Sequence, residues 1–196
     1  MKKALFYLLS IILIQSCSVF NQTVHEIDLV NKSDRYKSQF NYYNAQEFRS
    51  PFIRSEQTIV KEVYKDSTSF LVYDLVSVHK QNFDLEPYVY FIVDYKTILK
   101  IEVDIYEKEN NHRLSEKTKM ITISDATQVD VVSRYSHKEW DDFMLHYRLN
   151  EDYVKQLIKA NALTIRYYSG ANMISLKLDK YKLKRLKLLL TMNNYY

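Results

Sequence analysis

The chain has 196 residues, of which 28 are basic and 24 acidic, and a formal net charge of +4. A balance so close to neutrality is not the composition of a polyanion-binding protein. With one glycine and two prolines, the sequence contains no glycine-rich phosphate loop, no dinucleotide-binding fingerprint and no flexible linker. A single cysteine excludes an internal disulfide and a cysteine-based metal site.

The amino-terminal segment combines positive charge with a short apolar run. Lys2 and Lys3 precede Ala4–Ile14, which is too short for a transmembrane helix but has the length of the apolar core of a secretory signal peptide. Cys17, the single cysteine, follows at once. We therefore expect a signal peptide over residues 1–16.

The sequence Ile14-Gln15-Ser16-Cys17 resembles the lipobox of bacterial lipoproteins. The resemblance implies that Cys17 is acylated and becomes the first residue of the mature chain. It also implies that the protein is held at the cell membrane or outer membrane and faces the periplasm or the exterior. Ser18 stands where aspartate favours inner-membrane retention in that family, so the outer membrane is favoured.

Residues 17–37 form the next predicted unit. After Cys17, the stretch Ser18–Lys37 is polar and without a clear period, and we expect it to be a tether that lifts the domain off the membrane. The remaining residues, 38–196, have the length of one globular domain.

Strand-like patterns fill most of this predicted domain. Strands are predicted at Gln57–Tyr64, Phe70–Val78, Tyr88–Tyr95, Ile98–Tyr106, Met120–Ser124, Val129–Tyr135 and Asp141–Leu149. The segment Glu107–Arg113 is predicted to be a polar turn around Asn110 and Asn111, since asparagine tolerates left-handed backbone.

The period changes from two to that of a helix after residue 149. Helices are predicted at Glu151–Asn161 and Lys180–Met192, with Asn150 and Asp179 as their N-caps. Between them, two alternating segments flank a loop that holds Gly170, which predicts a hairpin.

These elements together predict an α+β fold. About eight or nine short strands form a mostly antiparallel sheet or sandwich, with two helices near the carboxyl end. Most connections are too short for helical crossovers, which is why antiparallel pairing is expected. The order helix, hairpin, helix resembles uncharacterised small envelope lipoproteins, and this likeness implies no activity.

A dense polar-aromatic cluster contains His137, Trp140, Asp142 and His146. Asp142 and His146 share a strand face, but about 13 Å separates their Cα atoms, too far for both to bind one ion. We therefore predict a solvated strand face with a partly buried Trp140, and neither a metal site nor a cofactor.

Two carboxylates lie inside predicted strands among apolar neighbours, namely Asp74 and Asp94. A charge in such a place must be paired or exposed. A pocket that joins His146 to Asp74 or Asp94 would indicate a small enzyme with a site near Trp140–Arg148.

A basic run accompanies the last predicted helix and is opposed only by Asp179. It consists of Lys177, Lys180, Lys182, Lys184, Arg185 and Lys187. Three interpretations are open: a core-packed helix with solvated lysines, contact with anionic lipid head groups or an envelope polymer, and contact with a protein partner.

The sequence thus favours a lipid-anchored envelope protein with a non-catalytic binding or assembly role. Its expected partners are the membrane, through the anchor, and an envelope protein or polymer, but not nucleic acid. The alternatives are a small envelope enzyme or inhibitor, and a small-ligand carrier with an apolar cavity between its sheets.

Overall fold

The computed structural model describes residues 23–43, 51–80, 83–124 and 127–192, and for residues 116–134 it describes the backbone alone. The strands in chain order are β1 (Val24–Asp28), β2 (Ser33–Tyr43), β3 (Phe52–Val63), β4 (Thr68–His79), β5 (Tyr88–Val93), β6 (Thr97–Glu102), β7 (Ile105–Ser124), β8 (Thr127–Arg148), β9 (Leu163–Ser169) and β10 (Asn172–Lys177). The two helices are α1 (Glu151–Lys159), between β8 and β9, and α2 (Lys180–Thr191), after β10.

These strands form two antiparallel sheets. The larger sheet has the order β1-β2-β3-β4-β8-β7, and the smaller has the order β10-β9-β5-β6. Every strand pair is antiparallel. The predicted α+β class, mostly antiparallel with two helices near the carboxyl end, is confirmed.

One face of the larger sheet packs against the core. Alternate residues of β4, among them Val72 and Val76, are fully buried there, as are Tyr147 on β8 and Tyr167 on β9 of the smaller sheet. The Tyr147 ring also meets the β5 residue Phe91 edge-on, with 6.2 Å between ring centroids. Large aromatic side chains therefore fill the space between the sheets, and each contributes to stability through the apolar area it removes from water.

Strands β7 and β8 form a hairpin that is longer than the sheet. Their pairing runs from Ile105 opposite His146 to Ser124 opposite Thr127. Strand β4 pairs with β8 only as far as Trp140. Beyond that point the hairpin continues as a two-stranded arm, roughly 40 Å long at 3.4 Å per residue.

The structure corrects two predictions about residues 98–113. The strand predicted at Ile98–Tyr106 is broken, since β6 ends at Glu102 and β7 begins at Ile105. The polar turn predicted at Glu107–Arg113 is wrong, because these residues pair with β8 throughout. They lie on an edge strand whose side chains reach water, where polar residues cost little and their charge discourages further strand pairing.

The predicted tether is also corrected. Residues 24–28 and 33–37 belong to β1 and β2, and β1 pairs with β2 from Val24 opposite Lys37 to Asp28 opposite Ser33. In β2 the core face includes Ser38 beside Phe40 and Tyr42, and this polar member obscured the alternation. The part of the expected tether before Thr23 lies outside the described residues.

Near the carboxyl end, the structure contains the predicted helix N-caps and the predicted hairpin turn. The Asn150 side chain accepts a hydrogen bond from the Tyr153 amide at 2.8 Å, and Asp179 accepts one from the Lys182 amide at 2.8 Å. Each side chain thus satisfies one free amide in the first turn of its helix. Gly170 turns the β9–β10 hairpin with φ at +54°. Within the described residues, no helix has both the length and the apolar character to cross a membrane.

Candidate binding groove on the larger sheet

The face of the larger sheet that points away from the core carries a groove of about 490 Å³. It crosses β3, β4, β8 and β7, and its floor includes Tyr73, Leu75, Ile105, Met144 and His146. The register explains why these residues meet: Tyr73 lies opposite His146, Leu75 opposite Met144, and Ile105 opposite His146 on its other side. Neighbours on one face of adjacent strands form a continuous surface.

The centre of the groove is an aromatic stack between Tyr73 and His146. Their ring centroids are 4.7 Å apart and their planes differ by 18°. Both ring nitrogens of His146 are buried, and neither has a hydrogen-bond partner among the described residues. A buried polar atom without a partner costs about 1–3 kcal/mol of stability.

The groove is shallow and its apolar side chains face water. Tyr73 is 41% exposed, Met144 38% and Ile105 51%. These residues lie next to one another across three strands, unlike the single apolar residues scattered over most protein surfaces. The geometry suits an extended segment laid across the strands better than a small molecule, which a binding pocket normally encloses on most sides.

The rim of the groove is acidic. Glu56 and Glu107 line it, and the register places Glu109 and Asp142 on the same face one step further along the strands. Arg54 partly offsets this charge, with its Nη1 3.5 Å from Glu56 Oε1. The local excess of carboxylates favours a ligand that carries positive charge.

Asp74 also borders the groove, but its carboxyl group lies on the other side of the sheet. Its Oδ2 atom accepts hydrogen bonds from the hydroxyls of Tyr147 at 2.8 Å and Tyr167 at 2.7 Å, and Tyr167 belongs to the smaller sheet. Gln57 joins this cluster through Tyr147, at 3.4 Å from Nε2 to the hydroxyl. Burial between the sheets raises the pKa of Asp74 to about 6, against the effect of these hydrogen bonds.

The second carboxylate singled out from the sequence, Asp94, has a different role. Its Oδ1 atom accepts hydrogen bonds from the amides of Asn161 and Ala162, both at 2.7 Å. It therefore fixes the loop after α1 to the β5–β6 turn, where its own φ is +50°. Neither this carboxyl nor that of Asp74 shares the groove with His146, so the pocket that would have supported the enzyme alternative does not form.

The polar-aromatic cluster predicted around residues 137–146 is divided by the fold. Asp142 accepts hydrogen bonds from Ser77, from Asn111 Nδ2 at 2.9 Å and from Trp140 Nε1 at 3.3 Å. Trp140 is half-buried, in agreement with the prediction. Asp142 and Trp140 thus lock β4, β7 and β8 together just beyond the groove.

The two histidines of that cluster lie apart. His146 belongs to the groove, whereas His137 lies on the arm, with its Nδ1 3.6 Å from Glu139 Oε1 and its ring centroid 6.2 Å from that of His112. In the described part of the chain, no three histidine, cysteine or acidic side chains are arranged to hold a metal ion.

The basic run of β10 and α2 is divided between the surface and the edge of the larger sheet. Lys182 Nζ donates to the Asn41 carbonyl at 2.8 Å and lies 4.3 Å from the ring centroid of Tyr42. Arg185 is buried, and its Nη2 donates to the Gln39 carbonyl at 3.4 Å. These carbonyls belong to the part of β2 beyond the end of β1, so the two cations satisfy polar groups of a strand edge.

The other basic side chains of this run remain at the surface. They are Lys177, Lys180, Lys184 and the half-buried Lys187. These four side chains form a smaller basic surface than the six-residue run in the sequence, because Lys182 and Arg185 point toward β2. Surface binding through these four lysines stays a prediction, and so does acylation of Cys17, which lies outside the described residues.

Sequence reasoning identified His146 as a candidate but missed its partners. Tyr73 and Ile105 belong to other strands, and the sequence pattern places Ile105 in the strand predicted at Ile98–Tyr106 rather than in β7. The sequence contains one signal for the site, namely the period-two pattern of Met144, His146 and Arg148 on the solvent-facing side of β8. This pattern marks one strand of the site and does not reveal the neighbouring strands.

The structure is a two-sheet α+β fold with a solvent-facing apolar groove on its larger sheet. No protein-family model, no curated protein and no solved structure matches the chain. The groove is therefore interpreted from its own chemistry.

Proposed function

We propose that this protein is a lipid-anchored component of the bacterial cell envelope that binds another macromolecule without catalysis. We further propose that the groove on the larger sheet is the contact surface. The observation that carries the proposal is the contiguous apolar surface of Tyr73, Ile105 and Met144, which are 41%, 51% and 38% exposed. The lipobox-like segment that ends at Cys17 supports the anchor.

The chemistry of the groove favours one kind of partner segment. An extended peptide with alternating apolar and basic side chains would cover Tyr73, Ile105 and Met144 and place its charges beside Glu56 and Glu107. Covering each large apolar side chain contributes at about 25 cal/mol per Å² of apolar area removed from water. The carboxylates contribute mainly to association rate and specificity, because exposed ion pairs add little stability.

Site-specific cross-linking in intact membranes tests this function. A photoreactive amino acid replaces Met144 in the groove, and the matched control replaces Tyr181, which is exposed on α2. One abundant cross-linked product from position 144, absent from position 181, is expected. No product at position 144, or the same products at both positions, would contradict the groove as the contact surface.

A charge-reversal variant tests whether the acidic rim contributes to binding, as distinct from non-specific adhesion of the apolar surface. Glu107→Lys should lower the cross-linking yield at position 144 several-fold, because it places a cation beside the proposed basic segment. Glu151→Lys is the matched control, since Glu151 is exposed on α1 away from the groove. Equal yields for the two variants would contradict a basic partner.

The anchor is tested on its own with Cys17→Ala. We expect this variant to lose the acyl mass on its amino-terminal peptide and to accumulate as unprocessed precursor. Continued acylation of the variant would refute the lipobox interpretation and would leave the groove to be judged by the cross-linking result.

A further inference from the structure

The hairpin tip between β1 and β2 displays apolar side chains to water. Leu29 is 83% exposed and Val30 90%, and they are adjacent in the sequence. Ile27 and Val24 on β1 are also exposed. Isolated exposed apolar residues are common, but this group occupies one short hairpin at one edge of the molecule, and such concentrations mark interaction surfaces.

The tip is held in place by its own hydrogen bonds. The Asp28 carboxylate accepts from the Val30 and Asn31 amides, both at 3.0 Å, and from Asn31 Nδ2 at 2.9 Å. The Asn31 bonds hold the pKa of Asp28 below its ordinary value. Lys32 completes the turn with φ at +52°. The loop is thus shaped locally, without packing Leu29 or Val30 against the sheet.

Basic side chains accompany the apolar tip. Lys32 is exposed within the turn, and Lys65 is exposed in the β3–β4 turn. That turn lies at the same end of the sheet, because Asp34 of β2 pairs with Val63 of β3. The exposed Asp66 adjoins Lys65 in that turn, so it is the exposed apolar side chains, rather than net charge, that suit contact with the boundary of a lipid bilayer.

The length of chain before β1 allows the tip and an anchor to reach the same membrane. Cys17 precedes Val24 by seven residues, which span at most roughly 25 Å. The distance from Val24 along β1 to the turn is roughly 20 Å. The preceding segment can therefore fold back so that residue 17 and the tip lie in one plane.

We propose that the tip, formed by Leu29 and Val30, inserts into the surface of the lipid bilayer and serves as a second membrane contact. This inference rests on the proposed function for the first contact, the acylated Cys17. It places the domain against the membrane rather than on a long tether, with the β1 edge of the larger sheet nearest the lipid. Two contacts hold an orientation that one flexible anchor leaves free.

Photolabelling from within the bilayer tests the proposal. The full chain is placed in phosphatidylethanolamine–phosphatidylglycerol vesicles that contain a phospholipid with a photoreactive acyl chain, and adducts are located by mass spectrometry. We expect several-fold more adducts at Leu29 and Val30 than at Leu114, an exposed leucine on the arm. Adducts at Leu114 equal to those at the tip, or none at the tip, would overturn the proposal.

Variants remove the remaining ambiguity. Leu29→Ser combined with Val30→Ser should abolish labelling of residues 24–32, and Leu114→Ser, the matched control, should leave it unchanged. Persistent labelling of residues 24–32 in the double variant would overturn the role of these two side chains.

The anchor is measured in the same samples from the acyl mass on Cys17. An acylated Cys17 with an unlabelled tip overturns the second contact and leaves the proposed function in place. A labelled tip without acylation supports the second contact and refutes the anchor. The two proposals therefore fail in distinguishable ways.

Discussion

Asp74→Asn is the substitution that most directly tests the core between the sheets. The carboxyl of Asp74 is fully buried and accepts hydrogen bonds from Tyr147 and Tyr167, and its Oδ1 atom has no partner in the described part of the chain. Asparagine keeps the shape and cannot carry the charge. The two tyrosine hydroxyls can turn to bond the amide, since a hydroxyl both donates and accepts.

The magnitude follows from the pKa of the buried group. Burial raises it from 3.8 to about 6, so the folded state binds this proton more tightly than the unfolded chain does. The stabilisation is fully present below a pH of about 4 and is lost as the pH rises through about 6. At about 1.4 kcal/mol for each pH unit between the two values, the free energy of unfolding falls by about 3 kcal/mol across this window.

Urea denaturation of wild type and Asp74→Asn at pH 4 and pH 8 measures this difference. Relative to wild type, the variant should be about 3 kcal/mol more stable at pH 8 than it is at pH 4. Any fixed cost of the amide is present at both pH values and cancels. Asp66→Asn, in the exposed β3–β4 turn, is the matched control and is measured at the same two pH values.

One result would refute the reasoning directly. If the relative stability of Asp74→Asn were the same at both pH values, the hydrogen bonds would offset burial, and if it were lower at pH 8, they would outweigh it. In the second case the cluster would favour the charged carboxylate between the sheets.

Two further substitutions test the packing of the carboxyl-terminal elements. Leu186→Ala on the buried face of α2 should lower the free energy of unfolding by about 2–5 kcal/mol. Leu188→Ala on its exposed face is the control and should change the free energy of unfolding by less than about 0.5 kcal/mol. Similar effects of the two substitutions would mean that α2 does not pack on the core as described. Gly170→Ala should lower the free energy of unfolding by about 1–2 kcal/mol, because alanine is strained at a φ of +54° and its Cβ would lie 2.6 Å from Phe83 Cδ2. A thermal denaturation midpoint unchanged from wild type would contradict this prediction.

The sequence predicted local features well where one residue fixes the geometry. Asn150 and Asp179 cap their helices through their own side chains, and Gly170 supplies the left-handed turn residue. These are interactions between near neighbours in the chain. The sheet class also followed from short connections, which leave no room for the helices that parallel strands need.

Strand boundaries on the edges could not be predicted in the same way. Residues 107–113 are mostly polar because they face water on an edge strand, so hydropathy could not separate them from a turn. The pairing that makes them a strand comes from β8, more than twenty residues further along the chain. Strand β2 escaped prediction for a different reason. Ser38 lies buried between Tyr36 and Phe40 on the same face, and this polar residue interrupts the apolar period of the strand.

The candidate site was predicted only as far as one strand reaches. His146 and Met144 share a face of β8, and that follows from alternation. Tyr73 and Ile105 join them only through the register with β4 and β7, which depends on long-range pairing. A groove that crosses four strands is therefore a property of topology, and no local pattern in a single sequence contains it.

The positions of the two proposed surfaces make them compatible. The hairpin tip belongs to β1 and β2 at one edge of the larger sheet, whereas the groove centres on β4, β8 and β7 toward the other edge. Four strand spacings separate β1 from β8, roughly 20 Å. The arm, moreover, leaves the sheet from the end opposite the tip, because β8 pairs with the start of β4 at Arg148 and runs past the end of β4 at Trp140. A bilayer at the tip therefore leaves the groove and the arm open to a partner, and occupation of one surface need not displace the other.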